Sequence, residues 1–234
     1  MTTEVSFLPV DGSQRFCLLH VPAGKPRGAI LYLHPFAEEL NRSRQVVARQ
    51  ARAFADAGYA VLQVDLYGCG DSAGDFGAAD WAQWRRDGHA AMRMLAERFD
   101  APLGLWGLRS GTLLAVELAR ELASNVVLIL WQPVLSGKQH LQQFLRLSLA
   151  ADLLDGKARG GTDVFMTQLE QGRSVEVAGY SLSPGLAAGL ARAELAPPVA
   201  AQRMHCVEIV PGGGELSHGL RRFATQENIE SSVC

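Results

Sequence analysis

The stretch Leu105-Trp106-Gly107-Leu108-Arg109-Ser110-Gly111 decides how this chain is read. It follows a short apolar run, Pro102 to Trp106, that predicts a buried strand, and it opens residues 110–123, whose Leu114, Leu118 and Leu122 line up as one helical stripe. Glycines two places before and two places after a centre let the backbone turn sharply from strand to helix and lift one side chain to the apex. The backbone N–H after the centre, that of Ser110, is a candidate oxyanion donor, and the helix N-terminus adds partial positive charge. The apex residue is Arg109. A guanidinium stays protonated and cannot attack an acyl carbon, so Arg109 reads as a substrate-binding group that clamps a carboxylate or phosphate. Ser110 is the candidate catalytic hydroxyl, one residue off the apex. Its plainer reading is the first residue of a helix.

Outward from this bend, short apolar runs alternate with longer helical patterns. Phe16 to Val21, Ala29 to Leu33, Tyr59 to Leu66, Val126 to Trp131 and Met204 to Val210 predict further strands. Residues 41–57 predict a helix with Val47, Ala51, Phe54 and Ala55 on one face, capped by Asn41 or Ser43 and stopped by Gly58. Asp80 introduces another, with Trp81, Trp84, Gly88, Met92, Leu95 and Phe99 on one stripe, and a polar helix begins near Ser217. This alternation implies right-handed crossovers and a mostly parallel, doubly wound α/β sheet, whose active sites lie at the carboxyl ends of strands. The residues after Leu33, Leu66, Trp106 and Trp131 are therefore the informative ones. Residues 136–195 break the rhythm and read as helices and loops, a cap or lid inserted between core segments 1–135 and 196–234. Leu141 to Leu154 is amphipathic through Leu141, Phe144, Leu145 and Leu149, as a lid helix or as plain core. Ser232-Val233-Cys234 reads as the start of one more strand, which makes the C-terminal strand–helix unit truncated on this reading.

Composition narrows the function classes. Of 234 residues, 48% are hydrophobic and 20% charged, which suits a globular domain. The 22 Lys and Arg nearly balance 24 Asp and Glu, which argues against a nucleic-acid platform. The N-terminus has no signal-peptide pattern and no apolar run approaches a membrane span, so a cytoplasmic protein is expected. Cys17, Cys69, Cys206 and Cys234 form no CxxC pair, and His20, His89, His140 and His205 have no ligand spacing, so no metal and no cofactor are expected. Cys69 lies near the strand ends and is either a reactive thiol or a small turn residue.

Two further motifs sit at strand ends. In Leu33-His34-Pro35-Phe36 the backbone N–H of Phe36 or Ala37 is a candidate oxyanion donor, and His34 either meets a ligand or braces the loop. Asp65 to Gly74, DLYGCGDSAG, reads poorly as a dinucleotide loop on Gly68, Gly70 and Gly74, because no helix starts at Gly74. It reads better as a D-x-x-G-x-G-x-S turn.

With LHPF, DLYGCGDSAG and GLRSG in this order, the chain resembles the α/β-hydrolase superfamily over residues 16 to about 230. More narrowly, LYLHPFAEELNRSR, VLQVDLYGCGDSAGDFG, LWGLRSG and LWQPVLSGKQHLQQFLR look like the second of two hydrolase families associated with the exosortase A system of Gram-negative bacteria. The resemblance implies an ester or thioester hydrolase beside PEP-CTERM sorting and exopolysaccharide production, with Arg109 at the serine slot as a family trait. It implies a small acyl or anionic ligand, and it leaves the oligomeric state open. It places the triad acid at Glu215, with Glu208 as the weaker choice, and the histidine beyond one further strand; His218 is too close to Glu215 in sequence to be the usual partner. The plainer reading of Glu215 is a solvated helix start. The alternative function is a non-catalytic anion-binding or assembly protein on the same fold.

Overall fold

The structure, a computed structural model, describes residues 1–122, 125–154, 161–196, 203–210, 212, 214–227 and 230–233. Strands β1 (Thr2–Val10) and β2 (Ser13–Val21) form an antiparallel hairpin. Its two-residue turn, Asp11-Gly12, takes positive φ at both positions (49° and 75°), the chemistry a tight hairpin asks for. The parallel strands are β3 (Gly28–Leu33), β4 (Tyr59–Val64), β5 (Leu103–Leu108), β6 (Val127–Trp131), β9 (Met204–Glu208) and β10 (Glu230–Val233). The order across the sheet is β1-β2-β4-β3-β5-β6-β9-β10, antiparallel from β1 to β4 and parallel from there on. The expected mostly parallel α/β sheet is thus present, with eight strands.

Seven helices accompany it among the described residues: α1 (Glu38–Asp56), α2 (Trp81–Arg98), α3 (Gly111–Glu121), α4 (Gly137–Leu154), α5 (Thr162–Glu170), α6 (Pro184–Arg192) and α7 (His218–Gln226). Alternation along β3 shows how both sheet faces are covered. Leu31 and Leu33 join the large core with Trp84 and Leu95 of α2 and Leu114 and Leu118 of α3. Ile30 and Tyr32 point the other way, into a smaller core with Val47 and Ala51 of α1. All six residues of β3 are buried, which is why its sequence is a continuous apolar run.

Several expectations need correction. The N-terminal ten residues carry a whole strand, β1, that periodicity did not reveal. Helix α1 starts at Glu38, three residues before Asn41. It is entered through Ala37 at φ 54°, with no side-chain cap, so neither Asn41 nor Ser43 caps it. The segment 136–195 contains a small antiparallel hairpin, β7 (Val175–Val177) with β8 (Tyr180–Leu182), besides its helices. The two ends of that segment meet. Gly137 donates its N–H to Ala193 O, Leu195 to Leu135 O, and Ser136 forms a bridge with Glu194. The expected terminal strand is β10, paired in parallel with β9. Cys234 and the side chain of Leu149 lie outside the described residues. No helix among those described is long and apolar enough to cross a membrane.

A candidate site at the strand-to-helix bend

The bend between β5 and α3 has the shape its glycines imply. Arg109 sits at φ 53°, a left-handed conformation that a non-glycine residue adopts only when its surroundings hold it there. They do so here. Arg109 N–H donates to Trp131 O at the end of β6 (3.0 Å), while Arg109 O accepts from Thr112 N–H (3.0 Å) and from the Thr112 hydroxyl (2.6 Å). The same hydroxyl takes Val134 N–H at 3.2 Å, tying the bend to the loop after β6. Glycine is required on both sides. A Cβ on Gly107 would lie 2.6 Å from Thr112 Cα, and one on Gly111 2.2 Å from Leu33 O. The first turn of α3 therefore rests directly on the end of β3.

Ser110 starts α3 in helical conformation and points inward, 2% exposed. Its Oγ accepts the N–H of Phe36 at 3.1 Å. That amide, expected as an oxyanion donor, is thus already engaged by a serine hydroxyl. Among the described residues no histidine nitrogen is bonded to Ser110. His34 turns away from the bend and braces two loops. Nδ1 lies 2.7 Å from Pro35 O, and Nε2 accepts Leu66 N–H at 3.1 Å, an arrangement that puts the proton on Nδ1. Burial lowers its pKa and keeps it neutral.

Around the Arg109 side chain stand two residues that the sequence reading did not select. Arg109 Nε donates to Glu39 Oε1 at 3.0 Å. Glu39 Oε2 is buried without a hydrogen bond and faces His140 Nε2, equally buried and unbonded, at 3.7 Å. His140 is 6% exposed; burial lowers its pKa, Glu39 pulls it back up and Arg109 pushes it down. Both residues occupy the first turn of a helix that follows an informative strand end, α1 after β3 and α4 after β6. That placement was the available signal. A cavity of about 160 Å³ opens beside this group, lined by Arg109, Ser136, Gln139, His140 and Gln143 with the Pro133-Val134-Leu135 loop.

Behind the bend the space is filled by rings. Phe36 packs on Phe144 of α4 (centroids 4.8 Å apart) and meets His140 edge-on (5.5 Å), and Phe76 bridges Phe36, Trp84 and Tyr180. Tyr180 of β8 donates its hydroxyl to Glu38 Oε2 at 3.1 Å and accepts from Asn41 Nδ2 at 3.2 Å, fastening the 136–195 segment to α1.

The remaining candidates lie elsewhere. Glu215 is on the surface, its side chain 83% exposed and paired with Arg221. Glu208 Oε2 accepts Ser217 N–H at the start of α7. Neither touches Ser110 or Arg109, and His218 is exposed on α7. The glycine turn after β4 folds on itself. A Cβ on Gly70 would strike the Asp65 carboxylate, one on Gly74 the Tyr67 ring and one on Gly68 the Asp75 backbone, so these glycines serve packing within the turn. Cys69 in this turn is buried, and its thiol is pushed up to about 12, chiefly by burial and then by Asp65, so it is no thiolate at neutral pH. Among the described residues no group of three or more His, Cys, Asp or Glu is placed to hold a metal ion.

A family model described as serine aminopeptidase, S33, matches residues 24–159. No curated protein matches the chain in sequence. Solved structures match its fold over nearly all its length. Est1E from Butyrivibrio proteoclasticus, with ferulic acid bound, superposes with TM-score 0.69 at 15% identity, covering 98% of this chain and 88% of that one. The α/β hydrolase GrgF from Penicillium sp. sh18 gives 0.67 at 16%, covering 100% and 89%. A soluble variant of monoglyceride lipase from Saccharomyces cerevisiae, in complex with a substrate analogue, gives 0.66 at 12%, covering 100% and 86%.

Proposed function

This chain belongs to the α/β-hydrolase family described as serine aminopeptidase, S33, and for this member we propose that it binds a small anionic ligand through Arg109 without forming an acyl-serine. The observation that carries this is the guanidinium held at the apex of the bend at φ 53°, with the neighbouring Ser110 hydroxyl turned inward onto Phe36 N–H. A fixed cation at a helix N-terminus, beside a cavity lined by two glutamine amides, suits a carboxylate or phosphate. The cavity holds only about 160 Å³ and is lined largely by polar side chains, so the ligand is compact and polar. Residues 136–195 act as the cap, His34 positions the loop that carries Phe36, and Glu215 has no part.

The motif resemblance sets this activity in the exosortase A and PEP-CTERM context, on the cytoplasmic side. A second reading is ester or thioester hydrolysis by Ser110. It is favoured by family membership and by the place of Ser110 at the start of α3 beside Phe36 N–H. One experiment separates the two. Thermal melting in acetate, acetyl phosphate and inorganic phosphate is expected to show stabilisation that grows with anion concentration and vanishes in Arg109→Ala. No response in the wild-type protein removes the binding reading. Turnover of p-nitrophenyl acyl esters that disappears in Ser110→Ala replaces it with the hydrolytic one.

A further inference from the structure

Glu39 is placed as an internal occupant of the Arg109 site. Its carboxylate already does what a ligand carboxylate would do, since Oε1 takes Arg109 Nε at 3.0 Å. Yet Glu39 is poorly served by this pose. Its Oε2 is buried with no hydrogen bond, and so is Nε2 of His140, 3.7 Å away. Two buried polar atoms facing each other across a gap slightly too wide for a hydrogen bond are costly as they stand. A small shift of the carboxylate, together with one proton, satisfies both. The Arg109 and Glu39 side chains are 34% and 37% exposed, so the pair is open to competition from solution.

Resting on the anion-binding reading, we infer that the site takes a small monocarboxylate in place of the Glu39 carboxylate, and that the displaced Glu39 moves onto His140, which takes up one proton. The charges balance. Before binding there are Arg109⁺, Glu39⁻, neutral His140, the ligand anion and a free proton. Afterwards there are Arg109⁺ with the ligand anion, and Glu39⁻ with the imidazolium. The described charged groups facing the imidazole are Glu39 from α1 and Arg109 from the bend. The Phe36 ring, edge-on at 5.5 Å, screens another side. Burial opposes protonation most and Arg109 adds to it; the ligand neutralises Arg109 and brings Glu39 into hydrogen-bond range of the imidazole, and the two changes together offset the burial. Binding is therefore tighter at pH 6 than at pH 8.

The test is calorimetric titration of the full-length chain with sodium acetate, with inorganic phosphate as the second probe, in two buffers of different ionisation enthalpy. For wild type the buffers are expected to differ by the heat of up to about one proton taken up per acetate bound, with acetate preferred to phosphate. In His140→Gln the uptake and the pH dependence vanish. In Glu39→Gln acetate binds about fivefold tighter, the scale expected on removing a partly exposed charge partner, again without proton uptake. Circular dichroism melts confirm that each variant is folded, and a variant that unfolds is replaced by His140→Asn or Glu39→Ala. Arg109-dependent acetate binding with no proton uptake, or unaltered by Glu39→Gln, overturns this inference and leaves the anion-binding reading intact. Acetate and phosphate binding neither to wild type nor to Glu39→Gln overturns both.

Discussion

Arg109 is held in a backbone conformation that suits it badly. A side chain at φ 53° costs on the order of 1 kcal/mol relative to glycine, because Cβ crowds the following carbonyl. Arg109→Ala and Arg109→Gly both remove the guanidinium and its bond to Glu39, so their difference isolates the backbone. The glycine variant is expected to be the more stable by about 1 kcal/mol in urea denaturation, and equal midpoints would show that the bend is unstrained. The sequence showed this apex plainly, because the glycine spacing and the flanking periodicities all point to one residue. It did not show the partners of Arg109. Glu39 and His140 are 101 positions apart in the chain, and each looks like an ordinary helix-start residue until the sheet brings their helices together.

At the scale of elements, the strands and helices buried on an apolar face were legible and the rest were not. Strand β3 and helix α2 stand within a residue or so of their expected places, because continuous burial and a clear apolar stripe leave strong patterns. Strand β1 escaped because it is an edge strand whose exposure alternates with apolar Val5 and Phe7 on the open face and Glu4 and Ser6 on the half-buried one, so residue type does not mark the face that packs. The β7–β8 hairpin escaped because three-residue strands are too short to show a period. One link between elements was equally invisible. Arg15 of β2 and Asp87 of α2 form a fully buried ion pair, Nε to Oδ1 at 2.8 Å, and Asp87 also accepts Tyr67 N–H (2.8 Å) and Gln83 Nε2 (3.0 Å). Stripping one charge from a buried pair strands the other, so Asp87→Ala is expected to cost about 3–5 kcal/mol in denaturant unfolding. The double variant Arg15→Met, Asp87→Leu is expected to lose less than that. If the single and double variants fall together, the pair is not what joins β2 to α2.

For the molecule as a whole, three buried histidines set the response to acid. Burial is the leading cause that lowers the pKa of His20, His34 and His140 below the usual 6.5. A base whose pKa is lower folded than unfolded binds more protons in the unfolded chain, so stability rises with pH across the window between the two values. It is complete above about 6.5 and is lost progressively below. Urea midpoints are therefore expected to fall between pH 7.5 and pH 5.5, and a flat profile over that range would show that these imidazoles are not held neutral.

The joined ends of the 136–195 segment carry a wider implication. Because Leu135 and Leu195 are hydrogen-bonded neighbours, this segment begins and ends at a single point. A short turn can bridge that point without disturbing register in β6 or β9, so evolution, or an engineer, can exchange everything beyond it as one cassette while the bend beneath stays as it is.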